Sequence, residues 1–265
     1  MPLALDVITL GVPEVPAAHA FYTSALSPTT GGHGQDANLD LHGTARIALH
    51  ATGTLAADAG TGPETSGFRG YVLSYVVSQP SEVESLLHAA VRGGAKVLKP
   101  AKRSLFAGFS AVYQAPDGAV WKLAAPTRKD TGPAGEPPVP TETGALLGVA
   151  EPTASKTFYA ALGMTVDRDY GNKYVDFHLT PGCSRLGLLP RATLAKDAGI
   201  GGDGAGFRAV VLHHRAGSRA EVDAILAAAH SAGGRIAVAA GEGARGGYSG
   251  HFADPDGHLW RVSAA

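Results

Sequence analysis

Two Asp-x-His pairs are the side chains whose types and spacing come nearest to catalytic chemistry. Asp40 and His42 stand two residues apart, and Asp176 and His178 repeat that spacing. Residues i and i+2 of a β-strand point to the same face, so each carboxylate could orient its imidazole as a general base. The same spacing is also typical of a structural hydrogen bond on the face of a sheet. Both interpretations stay open at this point, and His178 is kept as a candidate catalytic residue.

The single cysteine, Cys183, follows Pro181-Gly182 and precedes a predicted strand. That position is more typical of a buried or turn thiol than of a nucleophile. An intrachain disulfide needs two cysteines, so none is expected, which favours the reducing cytoplasm. The segment 1–7 also lacks a basic stretch followed by an apolar run, so we expect no signal peptide there.

Composition argues against several classes of function. The formal net charge is −1, with 22 Lys and Arg against 23 Asp and Glu, so the chain lacks the basic surplus that binds nucleic acids and anionic membranes. No stretch reaches the roughly 18 consecutive apolar residues that span a bilayer. The 265 residues, 45% of them hydrophobic, suffice for two cores of about 100–150 residues each. We therefore expect a cytoplasmic globular protein without nucleic-acid or membrane partners.

The elements that position these side chains occur twice in the sequence. Residues 45–123 and 184–262 align without a gap at an offset of 139 residues. Phe68-Arg69, for example, recurs as Phe207-Arg208. A period of this length matches a whole small domain rather than a solenoid unit. Two similar domains imply a pseudo-twofold relationship with two homologous cavities that are free to diverge.

A proline-rich segment separates the two repeats. Residues 126–143 contain five prolines and no apolar periodicity, which predicts an extended, semi-rigid linker. The sequence therefore predicts one domain at 1–125 and a second at 144–265.

Strand and helix patterns follow the same order within each repeat. The alternating pattern of 46–50 and the apolar run 71–77 predict strands. Capping-box sequences at 81–84 and 218–221 predict the starts of helices. Each half reads as β-α-β-β-β twice, which predicts an α+β fold with four such modules. We expect the two halves to form separate eight-stranded domains.

Two segments resemble the vicinal oxygen chelate superfamily. Residues 10–14, followed by Phe21-Tyr22 and Leu26, are similar to the opening strand and helix of that family, and residues 252–261 (FADPDGHLWR) are similar to its final hairpin. The family contains glyoxalases, extradiol dioxygenases, and fosfomycin and bleomycin resistance proteins. The resemblance implies two tandem glyoxalase-like domains, each of two βαβββ modules that form a cupped mixed sheet.

In that family a divalent metal, where present, lies in the cup and is held by His, Gln or Glu on the first and last strands of each module. The resemblance transfers the ligand positions to Val7, Ala48, Val72, Lys122, Gly144, Gly187, Val211 and Arg261. Alanine, valine and glycine offer no donor atom, and a cation cannot replace a carboxylate ligand. We therefore expect no metal and no other cofactor, and neither of the metal-dependent chemistries of glyoxalases and extradiol dioxygenases.

The resemblance and strand alternation together predict basic side chains in the cups. In the first half the inward residues near the metal position include Arg46, His50 and Lys122. In the second half they include Arg185, His213, Arg215 and Arg261. These charges are either solvated strand ends or a site for a ligand oxyanion, with His213 as acid or base. His251, whose first-half equivalent is Val112, is a further candidate, whereas Trp121 and Trp260 are assigned to the core.

The interpretation that results is a metal-independent protein that binds a small, partly apolar molecule, aromatic or polyketide-like, in the manner of resistance proteins that sequester drugs. Two alternatives stay open. One is a metal-free enzyme, such as a cyclase, isomerase or oxygenase, that uses His213 and the cup arginines. The other is a stress protein of glyoxalase ancestry. In each case the partner is a small-molecule ligand or substrate, and the chain acts as a monomeric pseudo-dimer or as a homodimer.

Overall fold

A computed structural model describes residues 2–29, 37–103, 108–243 and 247–264. The strands are β1 (Val7–Val12), β2 (Ala37–Asp40), β3 (Arg46–Ala51), β4 (Thr65–Gly67), β5 (Tyr71–Val76), β6 (Lys96–Arg103), β7 (Phe109–Gln114), β8 (Val120–Ala125), β9 (Glu142–Val149), β10 (Val166–Asp169), β11 (Val175–Phe177), β12 (Arg185–Pro190), β13 (Gly204–Gly206), β14 (Val210–Arg215), β15 (Arg235–Glu242), β16 (Tyr248–Ala253) and β17 (Leu259–Ala264). The helices are α1 (Val15–Leu26), α2 (Thr52–Asp58), α3 (Pro80–Arg92), α4 (Pro152–Ala161), α5 (Arg191–Ala198) and α6 (Arg219–Ser231). Among the described residues, no helix has the length and hydropathy needed to cross a bilayer.

The capping box predicted at 218–221 is confirmed. Ser218 Oγ accepts a hydrogen bond from the Glu221 amide, and the Glu221 carboxylate accepts one from the Gly217 amide. In the first half the predicted box at 81–84 is wrong, because Pro80 takes the first helical position and starts α3 earlier. Glu82 is the residue that reaches back there, and it accepts from the Ser78 amide.

The four modules pair across the two halves of the sequence. The seven-stranded sheet, called here the first sheet, has the order β15-β16-β17-β14-β1-β3-β2. The eight-stranded second sheet has the order β10-β11-β12-β9-β5-β8-β7-β6. The joints are antiparallel pairs of β1 with β14 and of β5 with β9. The α+β fold with two cupped mixed sheets is confirmed, but the expectation of one separate sheet per half is wrong, because each cup takes one module from each half.

Helix packing joins the two modules of each half. Tyr22 on α1 donates a hydrogen bond to Asp117 over 2.7 Å and lies 3.4 Å from Nε1 of Trp121, across the border between the first and second modules. The second half repeats this arrangement with Tyr159, Asp254 and Trp260. The assignment of both tryptophans to the core is confirmed, since Trp121 and Trp260 are 1% and 0% exposed.

A short helix lies against the concave face of each sheet. Leu55 and Ala56 of α2 share a hydrophobic cluster with Val211 on the first sheet, and Leu194 and Ala195 of α5 share one with Val72 on the second. These helices were not predicted. A two-stranded antiparallel ribbon of β4 and β13 connects the two halves at the pseudo-twofold axis.

Residues at the N-terminus of α3 hold the linker against that helix. Gln79 Oε1 accepts hydrogen bonds from the amides of Thr131 and Gly132, and the Glu82 carboxylate accepts one from the Gly135 amide. The segment predicted at 126–143 ends two residues earlier than expected, because β9 begins at Glu142.

Candidate functional site

A row of basic side chains crosses the concave face of the first sheet. The register places His251 of β16 opposite Arg261 of β17, and Arg261 opposite His213 of β14. The next residue of the row, Val7 on β1, lies opposite His213. Residues directly opposite each other in a sheet project from the same face. The Arg261 guanidinium therefore stands between the two imidazoles.

Both imidazoles of the row are neutral at pH 7. Burial and the neighbouring charges of Arg261 and Arg215 lower the pKa of His213 to about 3. Burial and Arg261 lower the pKa of His251 to about 4, against the opposing effect of Asp58 at the end of α2. The Nε2 atom of His213 lies 2.7 Å from Ser263 Oγ, so one imidazole nitrogen is held by a neighbouring hydroxyl.

Arg261 carries a positive charge that the fold leaves available. Its Nε atom is buried and has no hydrogen-bond partner among the described residues. No carboxylate forms an ion pair with it in the part of the chain that the structure describes. A half-buried guanidinium in this condition is suited to bind a carboxylate, phenolate or phosphate oxygen.

The structure divides the predicted basic residues between the two cups differently from the sequence prediction. Arg185 leaves the group of His213, Arg215 and Arg261, because β12 belongs to the second sheet. Arg46 joins that group instead, because β3 belongs to the first sheet, and so does His50. Arg46 is a peripheral member, with its Nε 3.9 Å from an Asp40 oxygen and a side chain that is 52% exposed.

The cations of the second cup are paired with carboxylates. The Lys122 ammonium lies 2.6 Å from Asp197 on α5. Arg185 lies 2.7 Å from Glu142, 2.9 Å from Asp167 and 3.5 Å from Asp176. The cup that holds His213 and Arg261 is therefore the better candidate for binding an anion, although it contains a different set of arginines from the one predicted.

Neither Asp-x-His pair is arranged as a catalytic pair. His42 has φ of 54° in a left-handed turn, and its Nε2 lies 2.9 Å from the Ser27 carbonyl oxygen. His178 lies beyond the end of β11, where its side chain is 63% exposed and 3.8 Å from Asp167. Asp176 is fully buried and accepts a hydrogen bond from Tyr174. The expectation that each pair shares a strand face is wrong, because the strands end before the histidines.

The residues at the family's metal positions do not fit a metal ion. Val211 and Val72 contact the apolar side chains of α2 and α5, so the helices fill the space beside them. The full set, regrouped by cup, is Val7, Ala48, Val211 and Arg261 in the first sheet and Val72, Lys122, Gly144 and Gly187 in the second. Within the ranges that the structure describes, no three His, Cys, Asp or Glu side chains cluster in a way that could hold a metal.

Cys183 has the properties of a structural thiol. Its Sγ lies 3.3 Å from an Asp6 oxygen, and burial raises its pKa to about 12. The second Asp6 oxygen accepts a hydrogen bond from the Arg215 amide and lies 3.1 Å from Nδ1 of His214. A thiol that stays protonated at pH 7 is a poor nucleophile, in agreement with the sequence interpretation.

The sequence interpretation missed a cluster of arginines beside the central ribbon. Arg69, Arg191 and Arg208 line a cavity of about 310 Å³ together with Phe68 and Phe207. The repeated Phe-Arg dipeptide was the available signal, since it recurs in both halves and places an aromatic and a cation at equivalent positions.

Comparison with known proteins identifies the fold of the chain and a family model that matches its second half. Residues 144–262 match the model of the Glyoxalase/Bleomycin resistance protein/Dioxygenase superfamily. Glyoxalase I from Zea mays is 16% identical, with 100% of this chain and 92% of that chain covered and a TM-score of 0.61. A putative dioxygenase from Bacillus subtilis is 13% identical, with 99% and 85% covered and a TM-score of 0.61. No curated protein matches this chain. At these identities the solved structures share the fold with this chain and establish nothing about activity.

Proposed function

Because residues 144–262 match the model of the Glyoxalase/Bleomycin resistance protein/Dioxygenase superfamily and the whole chain has the fold of glyoxalase I, we propose that it is a metal-independent protein that binds a small, partly apolar anion. The ligand class that fits is an aromatic or polyketide-like molecule with a carboxylate or phenolate group. The proposed role is sequestration, as the name of the superfamily's bleomycin resistance members suggests for those proteins.

The proposal of metal independence rests on the donor set. Valine, alanine, glycine, one lysine and one arginine occupy the eight ligand positions. None of these side chains supplies the carboxylate oxygen, imidazole nitrogen or thiolate sulfur that binds metals in proteins. In addition, α2 and α5 lie against Val211 and Val72, which are the positions that would have to face an ion.

The observation that carries the binding proposal is the Arg261 guanidinium between two neutral imidazoles. A ligand oxyanion beside it gains a charge-assisted hydrogen bond without displacing a protein carboxylate. The neutral state of His213 and His251 removes the repulsion that two further cations would add to Arg261. Val7 and Ala48 lie on the same sheet, so the surroundings of the guanidinium are partly apolar, as the proposed ligand is.

A metal-free enzyme is the second candidate, and the His213–Ser263 contact of 2.7 Å favours it, because a positioned imidazole beside a guanidinium could move a proton. The pKa of about 3 argues against this role, since an imidazole of such low basicity is a weak general base at pH 7. Binding is therefore the better-supported function.

Both cups are complete within one chain, so we propose that a monomer suffices for binding and that the two halves act as the pseudo-dimer. The proposed compartment is the cytoplasm, and nucleic acid and membranes are not among the proposed partners.

Calorimetric titration of the purified chain with salicylate and with 1-naphthoate tests the proposal. We expect saturable binding that Arg261→Ala weakens by roughly ten- to a hundredfold, because about 1.5–3 kcal/mol is lost with a charge-assisted hydrogen bond. Lys122→Ala is the matched control in the second cup, where the ammonium already has a carboxylate partner, and it should leave affinity unchanged. Equal affinity of the wild type and Arg261→Ala would contradict the proposal.

A turnover assay on the same ligands separates the two candidate functions. For a binding protein, His213→Gln changes affinity alone and no product forms. Product formation that is lost in His213→Gln while binding is kept would establish the enzyme instead.

A further inference from the structure

Three adjoining cavities form a groove along the ribbon of β4 and β13. The central cavity, of about 310 Å³, shares Phe68 and Arg69 with a neighbour of about 380 Å³ on the side of the second sheet. It shares Phe207 and Arg208 with a neighbour of about 170 Å³ on the side of the first sheet. The groove therefore runs past the mouths of both cups and lies outside the row of His213 and Arg261.

Two guanidinium groups converge in the central cavity. Arg191 is held by its Nη2 atom, which donates to the Phe68 carbonyl oxygen over 2.6 Å, and by its Nε atom, which donates to the Gly202 carbonyl oxygen. Arg208 is held by the Asp256 carbonyl oxygen and by the His258 ring. The Nη1 atoms of both arginines lie beside Gly70, where a side chain would collide with each of them.

The fixed partners of these arginines are neutral. The Arg191 and Arg208 partners named above are carbonyl oxygens and an imidazole, and Arg69 likewise donates to the Asp117 carbonyl oxygen. His258 is uncharged, because complete burial and the charge of Arg208 hold its pKa well below the usual range. Carbonyl groups orient a guanidinium without cancelling its charge.

The carboxylates nearest to the cluster are occupied by other donors. Asp117 accepts from the Tyr22 hydroxyl, and Asp254 accepts from the Tyr159 hydroxyl. Asp256 accepts from the Ala150 amide and the Ser155 hydroxyl. Asp203, at the edge of the larger side cavity, is exposed. Three oriented guanidiniums thus face one cavity, and none forms an ion pair within the described residues.

The cluster is asymmetric about the pseudo-twofold axis. Arg69 and Arg208 are equivalent in the repeat, but the equivalent of Arg191 in the first half is Thr52. Arg191 therefore places the additional charge on the side of the second sheet. The larger side cavity also lies on that side, lined by the apolar side chains of Phe68, Tyr71, Val120 and Ile200.

We propose that this groove is a second ligand site, in which Arg191 and Arg208 clamp the oxyanion of a small phosphate ester or carboxylate whose apolar part occupies the larger side cavity. The guanidinium fork matches both phosphate and carboxylate oxygens, and two forks side by side favour a group with two or more charged oxygens. The site is separate from the one proposed on the first sheet and uses none of its residues.

Titration calorimetry and thermal unfolding of the full chain in a chloride buffer test this site, with phenyl phosphate, inorganic phosphate and benzoate as probes. The titrations use the Arg261→Ala background, which removes the anion site proposed on the first sheet. There we expect one equivalent of phenyl phosphate per chain, with tighter binding than inorganic phosphate because of the apolar cavity. Tighter binding of phenyl phosphate than of benzoate indicates a phosphate ligand, and the reverse order indicates a carboxylate ligand. Arg191→Gln should weaken phenyl phosphate binding at least tenfold, and Arg191→Lys should restore only part of it, because lysine lacks the fork.

A control variant and a second groove variant show whether binding depends on the groove. Arg92→Gln, at the exposed end of α3, should leave binding unchanged. Arg208→Gln should weaken binding as Arg191→Gln does. Circular dichroism verifies that the Arg208→Gln variant folds. If it does not fold, the half-exposed Arg191 is the decisive position. Absence of binding at millimolar phenyl phosphate, or equal affinity with and without Arg191→Gln in the Arg261→Ala background, would overturn the proposal.

Discussion

Val7 and His213 lie directly opposite each other on antiparallel strands, although they belong to opposite halves of the sequence. Their pairing places the first strand of the chain beside the strand that carries half of the candidate site. The cup on the first sheet consequently depends on residues 7–12 for one of its central strands.

This pairing predicts that neither half folds as a stable monomer. Expressed alone, residues 144–265 expose the edge of β14 that β1 covers, and an unpaired, largely apolar edge promotes association. We expect each half to aggregate or to self-associate, and co-expression of 1–143 with 144–265 to give a 1:1 complex on size-exclusion chromatography with light scattering. A cooperatively unfolding monomer of 144–265 would contradict the prediction.

The histidines predict that stability declines in acid. His213 and His251 have folded-state pKa values of about 3 and about 4, below the unfolded value near 6.5, so the unfolded chain binds protons first. Their contribution is complete above about pH 6.5 and is lost as the pH falls towards those folded values. Between pH 7 and pH 5 each histidine should cost on the order of 1–2 kcal/mol of unfolding free energy.

Urea unfolding at pH 7 and pH 5 measures this effect. The double variant His213→Gln, His251→Gln should lose less stability between the two pH values than the wild type, whereas the exposed-histidine variant His88→Gln should match the wild type. The comparison of variants is needed because burial raises the pKa of Asp254 to about 6, which works in the opposite direction. Identical pH dependence in all three proteins would contradict neutral buried imidazoles.

The tyrosine at the centre of each inter-module contact predicts a stability loss. Tyr22→Phe leaves the buried Asp117 carboxyl and the Trp121 Nε1 without the hydroxyl that both contact. We expect the free energy of unfolding to fall by about 1–3 kcal/mol, as it does when a buried partner is left unsatisfied. Tyr170→Phe, at a tyrosine that is 62% exposed, should change stability little in the same denaturant titration. Equal stability of Tyr22→Phe and the wild type would show that the contact is dispensable.

The helices in the cups predict a further loss. Leu55→Ala and Leu194→Ala each remove a buried side chain that lies in the cluster of a concave face. We expect each to lower the free energy of unfolding by about 2–5 kcal/mol, through lost burial and the cavity left behind. Leu179→Ala, at a residue that is 39% exposed, is the control. A loss no larger than that of the control would mean that α2 and α5 are only loosely attached to the sheets.

The donor set predicts weak metal binding. After dialysis against zinc, nickel, iron or manganese, the protein should retain well below one equivalent per half by elemental analysis, because the family's ligand positions hold valine, alanine, glycine, lysine and arginine. Stoichiometric metal would show that the ligand positions lie elsewhere in the chain.

The sequence by itself determined the local structure. Strand alternation, the capping box at Ser218 and the linker prolines depend on neighbours close in the chain, so they identify the elements. The repeat of these patterns at an offset of 139 residues gives the modules and their order. The inward facing of Arg261 and His213 followed from the family resemblance, which assigns Arg261 to a metal position, together with alternation, because side-chain direction in a strand has a period of two. The capping residue of α3 was misassigned where Pro80 started the helix early.

Only the tertiary structure decided which modules share a sheet. The second and fourth modules have nearly the same pattern. The sequence pattern therefore allows β1 to bury its apolar face and to form its edge hydrogen bonds beside either β5 or β14. Local sequence does not distinguish two such pairings, because the difference lies in long-range packing of helices and linker. That choice placed Arg185 in the other sheet from Arg261 and placed Arg46 in the same sheet as Arg261, with two strands between them.

The arginine cluster at the ribbon illustrates the same limit. Arg69 and Arg208 were visible as a repeat, but Arg191 has no counterpart in the first half, where Thr52 stands. Its approach to Arg208 requires β12 to lie in the second sheet beside β9, which in turn pairs with β5, so that α5 starts at the groove. Charges far apart in the sequence meet only when the sheets assemble across the halves, and for that reason the structure alone revealed this site.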